Sequence, residues 1–200
     1  MDYLSEINAE APIIVDASDI VKDPKNMLKN LMNNFNDEGW HPEYGGYDVG
    51  YQSITLAYLS DYNSFHKKKD LDKTLIKSIE FLSNFIHPDG SAGGDYGSRS
   101  TSFLAPFGFA YNIEKSAKSA AIINHVFLNN NSVINKFIDD RYVCHFILPS
   151  YLLSLKTLEN IELKKPDQLA FNNNFTKYYA ESGLYIKSTK DYYMIINLKK

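Results

Sequence analysis

Residues Asp37–Ser53, reading DEGWHPEYGGYDVGYQS, constrain the fold more than any other stretch of the chain. They carry the single tryptophan, three tyrosines, four glycines, one histidine and, after Asp37, three more carboxylates. A glycine inside a helix costs about 1 kcal/mol relative to alanine, so this run is not a helix interior. Its aromatic content equally excludes a disordered linker. It reads as an ordered loop held between apolar helices, the setting in which a ligand site is expected. A second stretch, His87–Ser102 (HPDGSAGGDYGSRSTS), echoes it. Phe35 matches Phe85, Asp37-Glu38-Gly39 matches Pro88-Asp89-Gly90, and Glu43-Tyr44-Gly45 matches Asp95-Tyr96-Gly97. Tyr51 then falls opposite Phe103, the offset drifting from 50 to 52. A weak repeat of helix, glycine-aromatic loop and helix sets the architecture.

Apolar periodicity fills in the rest. A helix is predicted over about 23–36, with Asp23 as cap, Pro24 in the first turn, and Met27, Leu28, Leu31, Met32 and Phe35 on one stripe. A second (about 50–65) carries Tyr51, Ile54, Tyr58, Leu59 and Tyr62, and a third (about 71–86), capped by Asp70, carries Leu71, Leu75, Ile79, Leu82 and Phe85. The fourth spans about 99–111, interrupted by Pro106 and Gly108, and the fifth about 114–128. Asn129-Asn130-Asn131-Ser132 breaks the chain and can cap a short sixth through Phe137. The seventh, about 140–160, carries Phe146, Leu148, Leu152, Leu155 and Leu158, and Pro149 should kink it or mark a boundary. Asp139-Asp140-Arg141-Tyr142 reads as a helix N-terminus with an Arg ion pair. Residues 1–22, with the short apolar run Pro12-Ile13-Ile14-Val15, give no clear element.

After Lys164-Lys165-Pro166-Asp167 the period changes to that of strands. Tyr178–Lys187 and Tyr192–Leu198 read as two strands, with Met194, Ile196 and Leu198 alternating with Tyr193, Ile195 and Asn197. Two strands are marginal alone, so the tail reads as the opening of a larger sheet. The expected fold is therefore mainly α: an incomplete α/α toroid of helical hairpins over residues 1–165, followed by a short antiparallel β segment over 166–200 that begins a β-sandwich. About three hairpins are present where a closed six-hairpin ring needs twice as many, which points to a fragment of a larger protein.

Composition excludes several classes. Net charge of −3 supplies no global basic field for nucleic acid. No apolar run reaches the roughly 18 residues of a membrane span. No signal peptide opens the chain, which implies the cytoplasm if Met1 is the native start. Cys144 is alone, so no internal disulfide forms, and its apolar neighbours suggest a buried, inert thiol. The five histidines, His41, His66, His87, His125 and His145, show no metal-ligand spacing, and no phosphate loop is present. Neither a metal nor a cofactor is implied. The 14% aromatic content, dominated by tyrosine, suits a sugar-binding cleft as well as an ordinary core.

With these residues in view, the chain resembles the heparinase II/III-like polysaccharide lyases over roughly residues 24–200. The resemblance rests on Glu38-Gly39-Trp40 through Gly50-Tyr51-Gln52, and on Tyr179-Ala180-Glu181-Ser182-Gly183-Leu184-Tyr185-Ile186, similar to the strand that opens that family's sandwich. It implies the incomplete toroid, an acidic polysaccharide as partner, and β-elimination. The family takes a catalytic histidine from a segment downstream of this point. Phe81-Leu82-Ser83-Asn84-Phe85 with Pro88-Asp89-Gly90-Ser91 is also similar to the repeat of terpene-cyclase toroids, as shared geometry and not shared chemistry.

Lyase chemistry requires a group that offsets the uronate carboxylate, a base for the C5 proton, and an acid for the leaving oxygen. On this resemblance Tyr51 or Tyr47 is the base or acid, and His41 assists with charge. Arg99 grips the carboxylate, and Trp40, Tyr44 and Tyr96 contact the sugar. Each has a structural alternative: Tyr51 as a core aromatic opposite Phe103, Arg99 as a loop tie, His41 as an exposed loop residue, and Trp40 as a loop anchor. Two rival functions stay open. Glu43, Asp48, Asp89 and Asp95 could supply the carboxylate pair of a glycoside hydrolase. The chain could also be a carbohydrate-binding or interaction module without turnover, and a half-toroid should self-associate through exposed apolar surface.

Overall fold

The structure is a computed structural model that describes residues 24–130, 133–136, 138–159, 161 and 166–199. Helix α1, Pro24–Asn33, belongs to a unit of its own, Met1–Asn33. Pro24 opens it, where the missing N–H is no loss; the expected cap Asp23 and the apolar run at 12–15 lie outside the described residues.

The second unit, Asn34–Lys200, holds the remaining helices and the strands. Helix α2 (Val49–His66) and helix α3 (Lys69–Leu82) form an antiparallel hairpin. Lys67, in the left-handed region at φ 51°, ends α2. Asn63 organises the corner: its side-chain oxygen accepts the Lys68 N–H at 2.7 Å and its amide donates to Asp72 Oδ1 at 2.7 Å. The start of α3 is therefore fixed from α2, and Asp70 is a first-turn residue, not the expected cap. A 3₁₀ turn, Ser83–Phe85, continues α3 into the second glycine loop.

Helix α2 departs from the expected single stripe. Ile54, Leu56, Ala57 and Leu59 are buried, as are Ser53, Ser60 and Asn63, whereas Tyr58 is exposed. The helix is covered on two sides, by α3 and by helix α4 (Phe107–Tyr111), and its small residues let α4 approach. Ser53 Oγ accepts the Ala105 N–H at 3.0 Å, and Ser60 Oγ accepts from the Asn112 amide at 3.1 Å. The expected fourth helix is thus shortened: residues 99–105 are non-helical, and Pro106 caps α4.

Helix α5 (Ala117–Ile122), capped by Ser116, runs into a π-helical segment, Ile123–Asn129. Among the described residues of the expected sixth helix, 133–136 form a turn; Asn129 and Asn130 of the expected cap end the π-helical segment, and Asn131, Ser132 and Phe137 lie outside the described residues. There the Asn135 side chain pairs with both backbone groups of Leu104, each at 2.9 Å. Helix α6 (Asp140–Tyr142) begins at Asp139, whose carboxylate accepts from the Arg141 backbone and guanidinium. A π-helical segment, Val143–Ile147, leads into helix α7 (Leu148–Leu158), so Pro149 marks a boundary as expected. Cys144 is exposed, correcting the expected buried thiol. Helix α7 turns Ser150 and Ser154 inward and leaves Leu148, Leu152 and Leu155 at 49, 59 and 65% exposure. Ser150 Oγ accepts the Phe107 N–H at 2.9 Å, so the apolar stripe read from the sequence faces outward.

Three strands close the chain: β1 (Phe175–Tyr179), β2 (Leu184–Ser188) and β3 (Tyr193–Asn197), antiparallel in the order β1-β2-β3. The expected first strand is split by a turn at 180–183. Glu38 causes this, because its carboxylate accepts the backbone N–H groups of Glu181 (2.7 Å) and Ser182 (3.0 Å). Gly183, at φ +73°, completes the turn. The sheet packs on the helices through Tyr179 against Phe81, rings 4.7 Å apart, and through Asn197, whose amide donates to the Tyr96 carbonyl at 2.7 Å. The chain is thus mainly α, about half helical, with a small antiparallel sheet. Among the described residues no helix is long and apolar enough to cross a membrane.

The α2–α4 approach yields a test. An alanine at Gly108 would set its Cβ 2.5 Å from Leu56 Cγ and 3.0 Å from the Leu56 backbone carbon. Gly108→Ala should cost about 1–3 kcal/mol of stability, read as a lower urea midpoint at unchanged slope.

Candidate functional site

The two glycine-aromatic loops lie side by side, joined by one carboxylate. Asp48 is the N-cap of α2 and is 1% exposed. Oδ1 accepts the Tyr51 N–H at 3.2 Å and the Thr101 hydroxyl; Oδ2 accepts the backbone N–H groups of Arg99 (3.1 Å) and Thr101 (3.3 Å). Ser98 adds two bonds, its N–H to the Tyr47 carbonyl (2.8 Å) and its hydroxyl to the Glu43 carbonyl (2.6 Å). Contact this close excludes side chains: a Cβ at Gly93, where φ is +75°, would lie 2.0 Å from the Thr101 carbonyl oxygen. The predicted pairing of the loops is physical, and Tyr51 and Phe103, matched in the repeat, have ring centroids 6.3 Å apart.

Three of the expected site residues come together on the outer side of this joint. Tyr44 is 64% exposed, with its backbone in the left-handed region at φ 51°. The Arg99 guanidinium lies 4.2 Å from its ring centroid, and the Tyr51 ring meets Tyr44 edge-on at 5.8 Å. Arg99 is exposed and makes no ion pair among the described residues. An uncompensated guanidinium stacked on a tyrosine presents a planar donor fork for a carboxylate beside an aromatic face for a sugar ring.

Two expected residues sit in the core instead. Trp40 is 6% exposed; its indole N–H donates to Glu38 Oε2 at 2.9 Å and its ring meets Tyr47. Tyr47 is 3% exposed, against Phe81 (4.8 Å) and Phe85 (4.9 Å), and burial drives its phenol well above the ordinary range. Trp40 anchors the loop and Tyr47 fills the aromatic core. His41 is half-buried beside Phe35, its backbone N–H held by the Gln52 side chain at 2.9 Å. Burial lowers its pKa, an effect opposed by Glu43.

Tyr96 joins a cluster that sequence reasoning missed. His87 Nδ1 meets Ser91 Oγ at 2.7 Å, Ser91 Oγ donates to Asp89 Oδ1 at 2.7 Å, and His87 Nε2 meets the Tyr96 hydroxyl at 3.1 Å. These residues line an open cleft of about 360 Å³ with Tyr193 and Ile195. The signal was Asp89-Gly90-Ser91, the composition of an Asx turn, separated from His87 only by Pro88. Another cleft, of about 690 Å³, lies between α3, the start of α5 and β1 and contains none of the expected residues. Three lysines on its walls are paired, Lys77 with Asp37, Lys115 with Asp72 and Lys118 with Asp167. No group of three or more His, Cys, Asp or Glu among the described residues is placed to hold a metal ion. No family model, curated protein or solved structure matches this chain.

Two predictions follow from this geometry. Asp48→Ala leaves the N–H groups of Tyr51, Arg99 and Thr101 without their acceptor, and should cost about 3 kcal/mol in chemical denaturation. His41 and His87 both have pKa values held below the ordinary 6.5 by burial. The unfolded chain therefore binds more protons just below pH 6.5, and stability present above that value is lost as pH falls through it toward the lowered folded values. The urea midpoint should drop between about pH 7.5 and 5.5, and the double variant His41→Gln/His87→Gln should flatten that drop.

Proposed function

We propose that this chain is part of an α/α-toroid protein of the polysaccharide-lyase type, acting on uronic-acid-containing polysaccharide. The observation that carries the reading is the Arg99 guanidinium, without an ion pair among the described residues, stacked at 4.2 Å on exposed Tyr44 with Tyr51 at 5.8 Å. The helical hairpin α2–α3 with a glycine-aromatic loop at each end supports the toroid reading.

In this reading Arg99 pairs with the uronate carboxylate and so withdraws charge from C5, where the carbanion develops. Tyr44 stacks on the sugar ring. The Tyr51 phenol, at the edge of the same group, exchanges the proton: it takes the C5 hydrogen as phenolate or gives its own to the departing glycosidic oxygen. The C4–O bond breaks as the C4–C5 double bond forms. Tyr47 and Trp40, being buried, hold the loop that carries Tyr44. The hydrolase alternative loses support because Asp48 already accepts four hydrogen bonds inside the loop joint. A binding module without turnover is the second reading, favoured by the openness of Tyr44 and Arg99, both exposed.

Titration with oligogalacturonate should give saturable binding that Arg99→Ala weakens at least about tenfold and Arg99→Lys only partly restores. Tyr51→Phe should keep binding and remove the ultraviolet-absorbing unsaturated product. Binding without any such product in the parent protein supports the module reading. Binding unchanged in Arg99→Ala overturns both.

A further inference from the structure

The second glycine loop contains a connected chain of proton-carrying groups. Ser91 donates its hydroxyl hydrogen to Asp89 Oδ1 (2.7 Å), and the Ser91 N–H reaches the same oxygen at 3.0 Å. Its oxygen is then free only to accept, so the hydrogen at the 2.7 Å contact with His87 Nδ1 belongs to the imidazole. That fixes the Nδ1–H tautomer and leaves Nε2 as a lone pair, 3.1 Å from the Tyr96 hydroxyl. The Tyr96 hydroxyl also lies 3.3 Å from the Phe85 carbonyl, a second acceptor among the described residues. A base oriented by a third group and lying against a hydroxyl is the arrangement that activates nucleophiles and general bases on unrelated folds.

We propose that Asp89, Ser91, His87 and Tyr96 form a base-activated tyrosine facing the 360 Å³ cleft, a proton-transfer centre for a small ligand bearing a weakly acidic proton. In the step, the ligand proton passes to the Tyr96 oxygen as the phenolic hydrogen passes to His87 Nε2. The imidazolium so formed keeps its Nδ1–H on Ser91, whose bond to Asp89 steadies the positive charge. Tyr96 is the group that meets the ligand; His87, Ser91 and Asp89 act through it.

The surroundings suit this role. Burial lowers the His87 pKa, so the imidazole is neutral and able to accept near neutrality, while Asp89 opposes that shift and is itself held low, chiefly by Ser91. Burial also raises the Tyr96 phenol well above its ordinary range, so an unassisted Tyr96 should be a sluggish nucleophile. The other titratable groups around the imidazole are Tyr193 of β3, with ring centroids 6.1 Å apart, and His125, whose Nε2 meets the His87 carbonyl at 3.0 Å. Ile195 and the Tyr193 ring give the cleft an apolar wall. This goes beyond the lyase reading: it uses none of Tyr44, Tyr51 and Arg99, and its test needs no polysaccharide, so either can fail without the other.

The test is O-acetylation of the intact protein by N-acetylimidazole, with each tyrosine followed by peptide mass. The Tyr96 oxygen attacks the acetyl carbon as His87 takes the phenolic proton; the C–N bond to the imidazole breaks, His87 returns the proton to that nitrogen, and neutral imidazole departs. Tyr96 should react at least about tenfold faster than the exposed Tyr58 and Tyr178, with a rate that rises as His87 loses its proton. His87→Gln should remove that advantage. Ser91→Ala, which keeps the imidazole but releases its tautomer, should cut the rate about threefold and give a mixed tautomer signal in long-range proton–nitrogen spectra. A network that only staples the loop predicts the reverse order, with buried Tyr96 slower than Tyr58 and Tyr178. That order, or a Tyr96 rate unchanged in a folded His87→Gln or Ser91→Ala protein, overturns the proposal.

Discussion

The structure around the two loops depends on the Asp48 carboxylate. It is buried, and a buried carboxylate is tolerated only when hydrogen bonds replace its water. Four do so: three backbone N–H groups and one hydroxyl, from both loops and from the first turn of α2. The same group therefore caps a helix, orders residues 99–101 and sets the distance between the loops. Within that run Ser100 is held in the left-handed region at φ 54°, so no right-handed helix passes through 99–101. The glycines at 50, 93 and 97 follow as consequences, because the Thr101 hydroxyl, the Thr101 carbonyl and the Asp48 carboxylate respectively leave no space for a Cβ.

A second carboxylate joins the sheet to the helical part in the same manner. Glu38 accepts from the Trp40 indole and from the backbone at Glu181 and Ser182, about 140 residues away in sequence. It positions the β1–β2 turn and orients Trp40 toward the core. The aromatic cluster of Tyr47, Phe81, Phe85 and Tyr179 then fills the space between. Edge-to-face pairs of this kind add roughly 0.5–1.5 kcal/mol each beyond area burial, and they also fix direction. Two acidic residues with backbone partners and one ring cluster thus hold three chain segments in register.

What could be read from the sequence was whatever depends on local period and composition. The hairpin α2–α3, the helical boundary at Pro149, the pairing of the glycine loops and the strand character of the tail all have short-range signals. The failures were long-range. Nothing near 181 in the sequence reveals that Glu38 will bind its backbone, so one strand was expected where two occur. Nothing near Leu152 reveals that α7 meets α4 through Ser150, so the outward direction of Leu148, Leu152 and Leu155 has no local signal. The site divided likewise: Tyr44, Tyr51 and Arg99 lie together on the outer side of the joint, whereas Trp40 and Tyr47, from the same stretch, point inward. The His87 cluster was missed because its members looked like ordinary turn residues.

Arg99 is available because of where Asp48 directs its bonds. An aspartate and an arginine on facing loops would commonly pair side chain to side chain, and the guanidinium would then be consumed. Here Asp48 binds the Arg99 main chain instead, and both its oxygens are occupied by N–H and O–H donors inside the joint. The guanidinium is left outside, where the nearest surface is the Tyr44 ring. Stacking on that face restricts the side chain without neutralising it. The inward turn of Tyr47 has the complementary effect, since a loop pinned by a buried ring at 47 holds its neighbour at 44 outward, in a left-handed conformation that an unpinned tyrosine would avoid. The exposed cation–aromatic pair is thus a product of two buried residues, one acidic and one aromatic, neither of which needs to touch a ligand.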